Sequence, residues 1–191
     1  HDLTGTILRG ADLTGVNLAG IDLSGMDLSD VILRGVDLTN NDLTGTILRG
    51  ADLTGANLAG IDLSGMDLSS TILRGVDLTN NDLTGSILRG ADLTGANIAG
   101  IDLSGMDLSS TILRGADLSN SILTGVDLTG KDLARTKLAG VDLSDHDLTG
   151  TILRGADLTG VNLDGIDLSG MDLSDVILRG VDLTNKDLTG T

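Results

Sequence analysis

The sequence predicts an all-β solenoid, a rod in which one short unit is stacked many times, and three observations carry this prediction. The chain divides from His1 into 38 consecutive five-residue blocks without a slip, from HDLTG and TILRG to KDLTG. Position 3 is Leu in 37 blocks and Ile98 in the other, and all 28 glycines stand at position 5. A helix has a period of 3.6 residues and a strand a period of 2, so a strict period of five favours a short extended side followed by a turn.

Each position of the block has a predicted role. Alternation along an extended side directs positions 1 and 3 inward and position 2 outward. Gly at position 5 supplies the positive φ of a tight turn. Asn and Asp tolerate that φ, and they stand at position 5 in Asp30, Asn40, Asn80, Asn120, Asp145, Asp175 and Asn185. We expect a different turn type at Ser70, Ser110 and Arg135.

Polar residues at the inward position 1 are the exception to this pattern. Asn41 and Asn81 can bond the backbone of a corner, and His146 is a third polar residue there. A buried, unpaired ammonium group is costly, so we expect Lys131 to escape at a loosened coil.

A longer repeat is superimposed on the five-residue frame within a single domain, residues 1–191. Near copies of a 40-residue unit occupy 1–40, 41–80, 81–120 and 146–185; a divergent insert occupies 121–145, and 186–191 begin a further unit. The insert contains five blocks, so we expect it to move Ile152/Arg154 and Ile177/Arg179 around the rod.

The blocks ADLTG and ANLAG resemble the A(D/N)LXX signature of the pentapeptide repeat family over the whole chain. The resemblance implies a right-handed quadrilateral (four-sided) β-helix with 20 residues per coil, which gives about 9.5 coils here, with position 3 stacked on the axis. Phe is common at that position in the family and absent here, so we expect a core of stacked Leu.

Composition excludes most chemistry. The chain has no Cys, two His and a net charge of −16, and we find no motif for catalysis, a cofactor or a metal, so we predict that it is not an enzyme and binds no small-molecule substrate. Columns of Asp could hold Ca²⁺, but a solvated acidic face is favoured.

No apolar run approaches the ~18 residues of a membrane span and no leader precedes the blocks, so we expect a cytoplasmic protein without membrane contact.

One departure from the acidic pattern is a candidate interaction seam. Ile at position 2 is followed by Arg at position 4 on alternating second and third sides of the first six coils: Ile7/Arg9, Ile32/Arg34, Ile47/Arg49, Ile72/Arg74, Ile87/Arg89 and Ile112/Arg114. The seam is either a docking or lateral-association stripe or a set of Arg side chains that pair with Asp on the next coil, such as Arg9 with Asp27 or Asp30. The second interpretation is favoured.

Two functions follow from an acidic rod of this kind. The first is a structural or interaction rod, a scaffold or spacer that binds a protein partner or associates with itself end to end or laterally. The alternative comes from the resemblance, because quinolone-resistance members of the family are acidic rods that imitate DNA and bind gyrase. Duplex DNA carries a charge every ~1.7 Å, which gives about 27 charges over a rod of roughly 46 Å. The 28 Asp of the chain match this number, although the positive charges of the Arg residues reduce the net negative charge. Neither function involves direct binding of nucleic acid.

Overall fold

The fold is a stack of closed coils, each 20 residues long. The computed structural model describes Leu3 and residues 6–191. In this part of the chain there is no helix, and the β-structure consists of isolated parallel bridges that join residues 20 apart, such as Asp12 with Ile32 and Ile32 with Asp52. No bounded strand forms, because a turn interrupts the ladder every five residues.

Four turns per coil make the cross-section four-sided. At each corner the amide of a position 1 residue donates to the carbonyl of the preceding position 3, as Ala11 does to Leu8 (2.8 Å). Neighbouring coils are joined by amides at positions 2, 3 and 5, for example Leu33 N–H to Asp52 O (2.7 Å). We number the sides in chain order by the first residues of their blocks: side 1 (21, 41, 61 and onward by 20), side 2 (6, 26, 46), side 3 (11, 31, 51) and side 4 (16, 36, 56).

The core contains the position 3 leucines, as the sequence predicts. They are buried from Leu18 to Leu168, with Ile98 in the same column at 0 % exposure. Position 1 adds a second buried layer of smaller side chains, such as Val31, Ala51 and Val76. Towards both ends the leucines are only partly buried, and Leu188 is 41 % exposed.

The corners correct one expectation. Ser70, Ser110 and Arg135 have φ values of 57°, 57° and 62°, so they adopt the left-handed turn conformation of the glycines rather than another turn type. Arg135 accepts this conformation because hydrogen bonds hold its corner, including one from its own amide to Arg154 O (3.0 Å). Among the described residues at position 5, those without a positive φ are Asn80 and Asp145.

Polar residues at position 1 turn towards the backbone of the preceding coil. Asn41 Nδ2 donates to the carbonyls of Leu18 and Ile21, both at 2.8 Å, and Asn81 repeats this arrangement two coils later. This agrees with the corner bonding expected of Asn.

Lys131 stands at a loosened coil, as expected, but its ammonium group does not leave the wall. Its side chain is half-buried, and Nζ donates to Leu108 O at 2.7 Å. Ile152 N–H of the following coil donates to Lys131 O at 2.9 Å, whereas the parallel bridge and the position 2 and 3 amide bonds that recur along side 3 are absent between the described residues Ile112 and Asp132. Burial lowers the pKa of Lys131, while the charges of Asp127 and Asp107 act in the opposite direction. A carbonyl of the preceding coil thus satisfies the ammonium group where the ladder of side 3 is interrupted.

Candidate interaction surfaces

The carboxylates at position 2 have a structural role, because each forms a hydrogen bond with the backbone of the turn that follows it. In the described part of the chain, Oδ1 of each accepts the amide of the residue two positions later, as Asp62 does from Ser64 and Asp82 from Thr84, at 2.9 and 2.8 Å. Asn57 makes the same bond with Ala59. This local bond holds the backbone that enters each turn, which explains why position 2 is Asp or Asn in most blocks. Ile at position 2 cannot accept this hydrogen bond, so the presence of Ile in those blocks requires a different explanation.

The four sides differ in charge. Within the described residues, side 1 carries no Lys or Arg, and its carboxylates are Asp22, Asp42, Asp62, Asp82, Asp102, Asp142, Asp145, Asp164 and Asp182. Its position 2 residues are exposed from coil to coil. Side 3, on the opposite wall, has as many Lys and Arg as Asp: Asp12, Asp52, Asp92, Asp132, Asp172 and Asp175 against Arg34, Arg74, Arg114, Lys131, Arg135 and Arg154. The net charge of −16 is therefore unevenly distributed around the rod.

Side 3 carries half of the predicted seam, and two of its carboxylates are covered. Position 2 reads Ile32, Asp52, Ile72, Asp92 and Ile112 on successive bridged coils. Asp52 and Asp92 are each only 6 % exposed.

Two arginines cover these carboxylates. Arg34 Nε lies 2.6 Å from Asp52 Oδ2, and Arg74 Nε lies 2.6 Å from Asp92 Oδ2. Burial acts to raise the pKa of Asp52, but hydrogen bonds from Thr54 and Arg34 outweigh it, so the pKa lies below its ordinary value and the carboxylate stays ionised. The column of position 2 residues on side 3, from Ile32 to Ile112, therefore alternates Ile side chains with Arg–Asp pairs of no net charge.

The third arginine of the seam on side 3, Arg114, departs from this pairing. Asp132 stands 18 residues after it, at the same spacing as Asp52 from Arg34, yet the two side chains form no ion pair in the part of the chain that the structure describes. Asp132 is half-buried, and its Oδ1 accepts the amide of Ala134 at 2.9 Å. The stretch with covered carboxylates therefore ends at Ile112.

The half of the seam on side 2 is different. Arg9 lies 3.8 Å from Asp30, one of the two partners expected for it, and both side chains are more than half exposed. Exposed pairs of this kind contribute little to stability. Ile47 and Ile87 are 45 % and 48 % exposed. After Ile87, position 2 on this side is Asp in every coil, so the column becomes acidic.

Arg49 and Arg89, the other arginines of the seam on side 2, do not form the ion pairs that the favoured interpretation predicts. Among the described residues, neither makes a direct contact with a carboxylate of the next coil. Hydrogen bonds within the block are the main cause of the lowered pKa of Asp67 and Asp107, and the charges of Arg49 and Arg89 add to it from a greater distance. Asp67 is only half-buried and Asp107 is exposed, so the carboxylates of side 2 are not covered as Asp52 is.

The Ile–Arg blocks that follow the insert lie one side further around the rod, as expected. Ile152 and Arg154 move from side 2, where TILRG stands at 6 and 46, to side 3, where Ile152 bridges Asp132. Ile177 and Arg179 move from side 3 to side 4, where Ile177 bridges Asp157. TILRG at 151 therefore falls on the side that VILRG and TILRG occupied at 31, 71 and 111.

Sequence analysis also missed Ile122. It is 48 % exposed on the otherwise acidic side 1. It lies within the divergent insert and has no Arg two residues later, so the Ile–Arg pattern could not identify it.

No arrangement suited to catalysis or metal binding emerges from the described part of the chain. His146 lies beside a groove of about 800 Å³ on side 2, which Asp147 and Asp167 also line. Its Nε2 donates to Leu123 O (2.9 Å), and Nδ1 is buried without a partner, so neither ring nitrogen is free to face the groove. Residues 6–191 contain no group of three or more His or Asp placed to hold a metal ion. Nor does this part of the chain contain a helix with the length and hydropathy of a membrane span.

Comparison with known proteins gives a consistent family. The sequence profile described as pentapeptide repeats matches in 8 copies between residues 2 and 190. Among solved structures, HetL, a pentapeptide repeat protein involved in the regulation of heterocyst differentiation in the cyanobacterium Nostoc sp. strain PCC 7120, is similar with 30% identity and a TM-score of 0.53, over 96% of this chain and 86% of HetL.

Two further similarities are weaker. Full-length QnrB1, a plasmid-mediated fluoroquinolone resistance protein, matches with 19% identity and a TM-score of 0.41, over 96% of this chain and 89% of QnrB1. A pentapeptide repeat protein of the Arabidopsis thaliana thylakoid lumen matches with 28% identity and a TM-score of 0.27, over 83% and 72% of the two chains. A search of curated proteins found no match.

Proposed function

The chain belongs to the pentapeptide repeat family, and from that premise we propose that it is a non-enzymatic interaction rod, a scaffold or spacer for a protein partner. Pentapeptide repeat proteins form right-handed β-helices and are in general structural or interaction proteins. HetL, the relative with 30% identity, takes part in a regulatory process.

The observation that carries the proposal is the uninterrupted wall. Turns recur every five residues from residue 9 to residue 190, and the amide at position 1 closes each corner, so no loop leaves the coil to build a pocket there. A surface of this kind repeats the same groups at fixed distances, which suits an extended contact rather than a single reacting centre. The rod is about 46 Å long at the usual strand spacing of ~4.8 Å.

A deletion of one unit tests the scaffold function. Removing residues 41–80 takes out two whole coils, so the flanking sides stay in register and the rod shortens by roughly 10 Å. We expect small-angle scattering to show that shortening while binding to a partner captured by the intact chain is retained. Loss of binding on deletion of 41–80, with the β-helix still folded by circular dichroism, contradicts a spacer role for this unit.

The second candidate function is a DNA-mimicking inhibitor of a DNA-binding enzyme such as gyrase, and side 1 favours it. The exposed carboxylates of Asp42, Asp62, Asp82 and Asp102 recur every coil with no cation between them. A regular row of negative charge along a rod is what a DNA-binding groove attracts.

A supercoiling assay separates the two functions. Mimicry predicts inhibition of gyrase at micromolar rod, weakened by added salt, and predicts that the triple variant Asp62→Asn, Asp82→Asn, Asp102→Asn inhibits less. Asn keeps the acceptor for the turn, as Asn57 does, so this variant removes charge without removing the local bond. An absence of inhibition by the intact chain at micromolar concentration would exclude mimicry of gyrase-bound DNA and leave the scaffold function standing.

A further inference from the structure

We propose that side 3 is a weak self-association surface, on which a second copy of this chain packs laterally against the column that runs from Ile32 to Ile152. The inference holds whether the rod serves as a scaffold or as a DNA mimic, because it concerns contact between copies of the rod alone.

The first argument is the composition of the column. On side 3, Asp52 lies between Ile32 and Ile72 and is almost fully buried under Arg34. An association stripe and Arg–Asp pairing, the two interpretations of the seam, are therefore compatible on side 3. The pairing of Arg with Asp covers the carboxylates, and this makes the apolar column continuous as far as Ile112. Arg74 and Asp92 repeat the arrangement one period later. Ile32 and Ile72 are half-buried and Ile112 is 45 % exposed, so the column is a partly exposed apolar surface, and continuous apolar surface is typical of a contact site.

The second argument is charge, and it selects the occupant. Two copies that each carry −16 repel one another on most approaches. Side 1 would face its copy with carboxylates alone, whereas side 3 has equal numbers of cationic and anionic groups. Side 3 is thus the wall on which two copies meet without net repulsion between the facing groups.

The third argument is spacing. Ile32, Ile72, Ile112 and Ile152 recur every 40 residues, or every two coils, and the last two are 45 % and 48 % exposed. When two rods slide by one coil, the Ile side chains of one copy lie over the Arg–Asp pairs of the other, between its own Ile side chains. The regular alternation offers several equivalent registers of this kind.

The size of the surface sets the strength. The column from Ile32 to Ile152 spans seven coils and is roughly 34 Å long, and a three-residue side is about 10 Å wide, so two copies would bury on the order of 700 Å² in total. Specific stable interfaces bury more than this, so the association is weak and transient.

Sedimentation equilibrium from about 10 μM to 1 mM covers the range of such weak interfaces. We expect the average mass of the intact chain to rise with concentration. We also expect it to rise further in about 1 M NaCl, where a Debye length of ~3 Å screens the repulsion between copies. A chain that stays monomeric at 1 mM in both salts, or an association that weakens with salt, overturns the proposal.

Variants on different sides localise the contact. Ile72→Asp with Ile112→Asp should raise the dimer Kd by at least about tenfold, since it replaces apolar groups of the column with charge. Ile47→Asp with Ile87→Asp on side 2 adds the same charge to residues that are at least as exposed, and it should leave the Kd unchanged, as should Ile122→Asp on side 1.

Each variant restores the commonest residue at position 2, so folding is retained, and circular dichroism verifies it. Equal loss of association in the side 2 or side 1 variants, or unaltered association in the side 3 variant, contradicts a contact on side 3.

Discussion

Single residues at position 1 show how the wall tolerates polar groups. Asn41 donates twice to the coil below, but its Oδ1 is buried without a partner, as is that of Asn81. Coils on either side carry Ile21 and Ile61 at the same position, and Ile61 is 5 % exposed. A side chain with no polar atom therefore fits this site, and the Asn is not required for packing.

A substitution at Asn41 follows from this. Asn41→Ile should raise the free energy of unfolding by about 1 kcal/mol, because it removes an unsatisfied buried oxygen and adds apolar contact, and the amide of Asp42 can then bond Ile21 O. Urea unfolding measures the change. Asn41→Ala is the control and should lower the free energy of unfolding, since it removes two hydrogen bonds and fills no space. If the Ile variant is destabilised as much as the Ala variant, the buried oxygen has a partner that the structure does not show.

Within one block, the hydrogen bond between the position 2 carboxylate and the turn links the protonation of that carboxylate to the stability of the fold. Hydrogen bonds from the position 4 hydroxyl and amide hold the pKa of Asp62, Asp82 and Asp102 below the ordinary value of 3.8. A carboxylate with a lowered pKa in the folded state binds protons more weakly there than in the unfolded chain. Its contribution to stability is present above pH 3.8 and is lost as the pH falls through the lowered pKa.

The acid response of the rod tests this. We expect the Tm to stay nearly constant from pH 7 to about 5 and to fall steeply below about pH 4, as the Asp side chains become protonated. In the variant with Asp62→Asn, Asp82→Asn and Asp102→Asn the turn acceptors remain but three titrating groups are gone, so its Tm should fall less over the same range. Thermal melts followed by circular dichroism measure the Tm at each pH, and a triple variant with the wild-type acid response would show that protonation of these three carboxylates is not coupled to folding.

Across the whole molecule, stability should follow position along the axis. Each coil contacts only its neighbours, so the energies are nearly additive and the rod opens from its ends. Leu93 and Leu103 are fully buried, whereas Leu183 is partly exposed and Leu188 is 41 % exposed.

Hydrogen exchange followed by mass spectrometry should therefore show a gradient. Amides of the coils around Leu93 and Leu103 should exchange slowest, and those of the coil containing Leu183 should exchange at least about tenfold faster, which corresponds to ~1.4 kcal/mol in opening free energy. Uniform protection from residue 20 to residue 185 would instead mean that the rod unfolds as one cooperative unit.

The sequence by itself determined the five-residue frame, the column of leucines and the corner at position 5, because each of these depends on residues within one block. It also located the Ile–Arg blocks. Only the tertiary structure decided what those blocks do, since Arg34 and Asp52 are 18 residues apart in the chain and meet only when a coil closes. The same spacing separates Arg49 from Asp67 on side 2, where no such contact forms. The contact on side 3 covers Asp52, and the 20-residue register gathers six Lys and Arg and six Asp on that wall, so it is neutral while side 1 remains acidic.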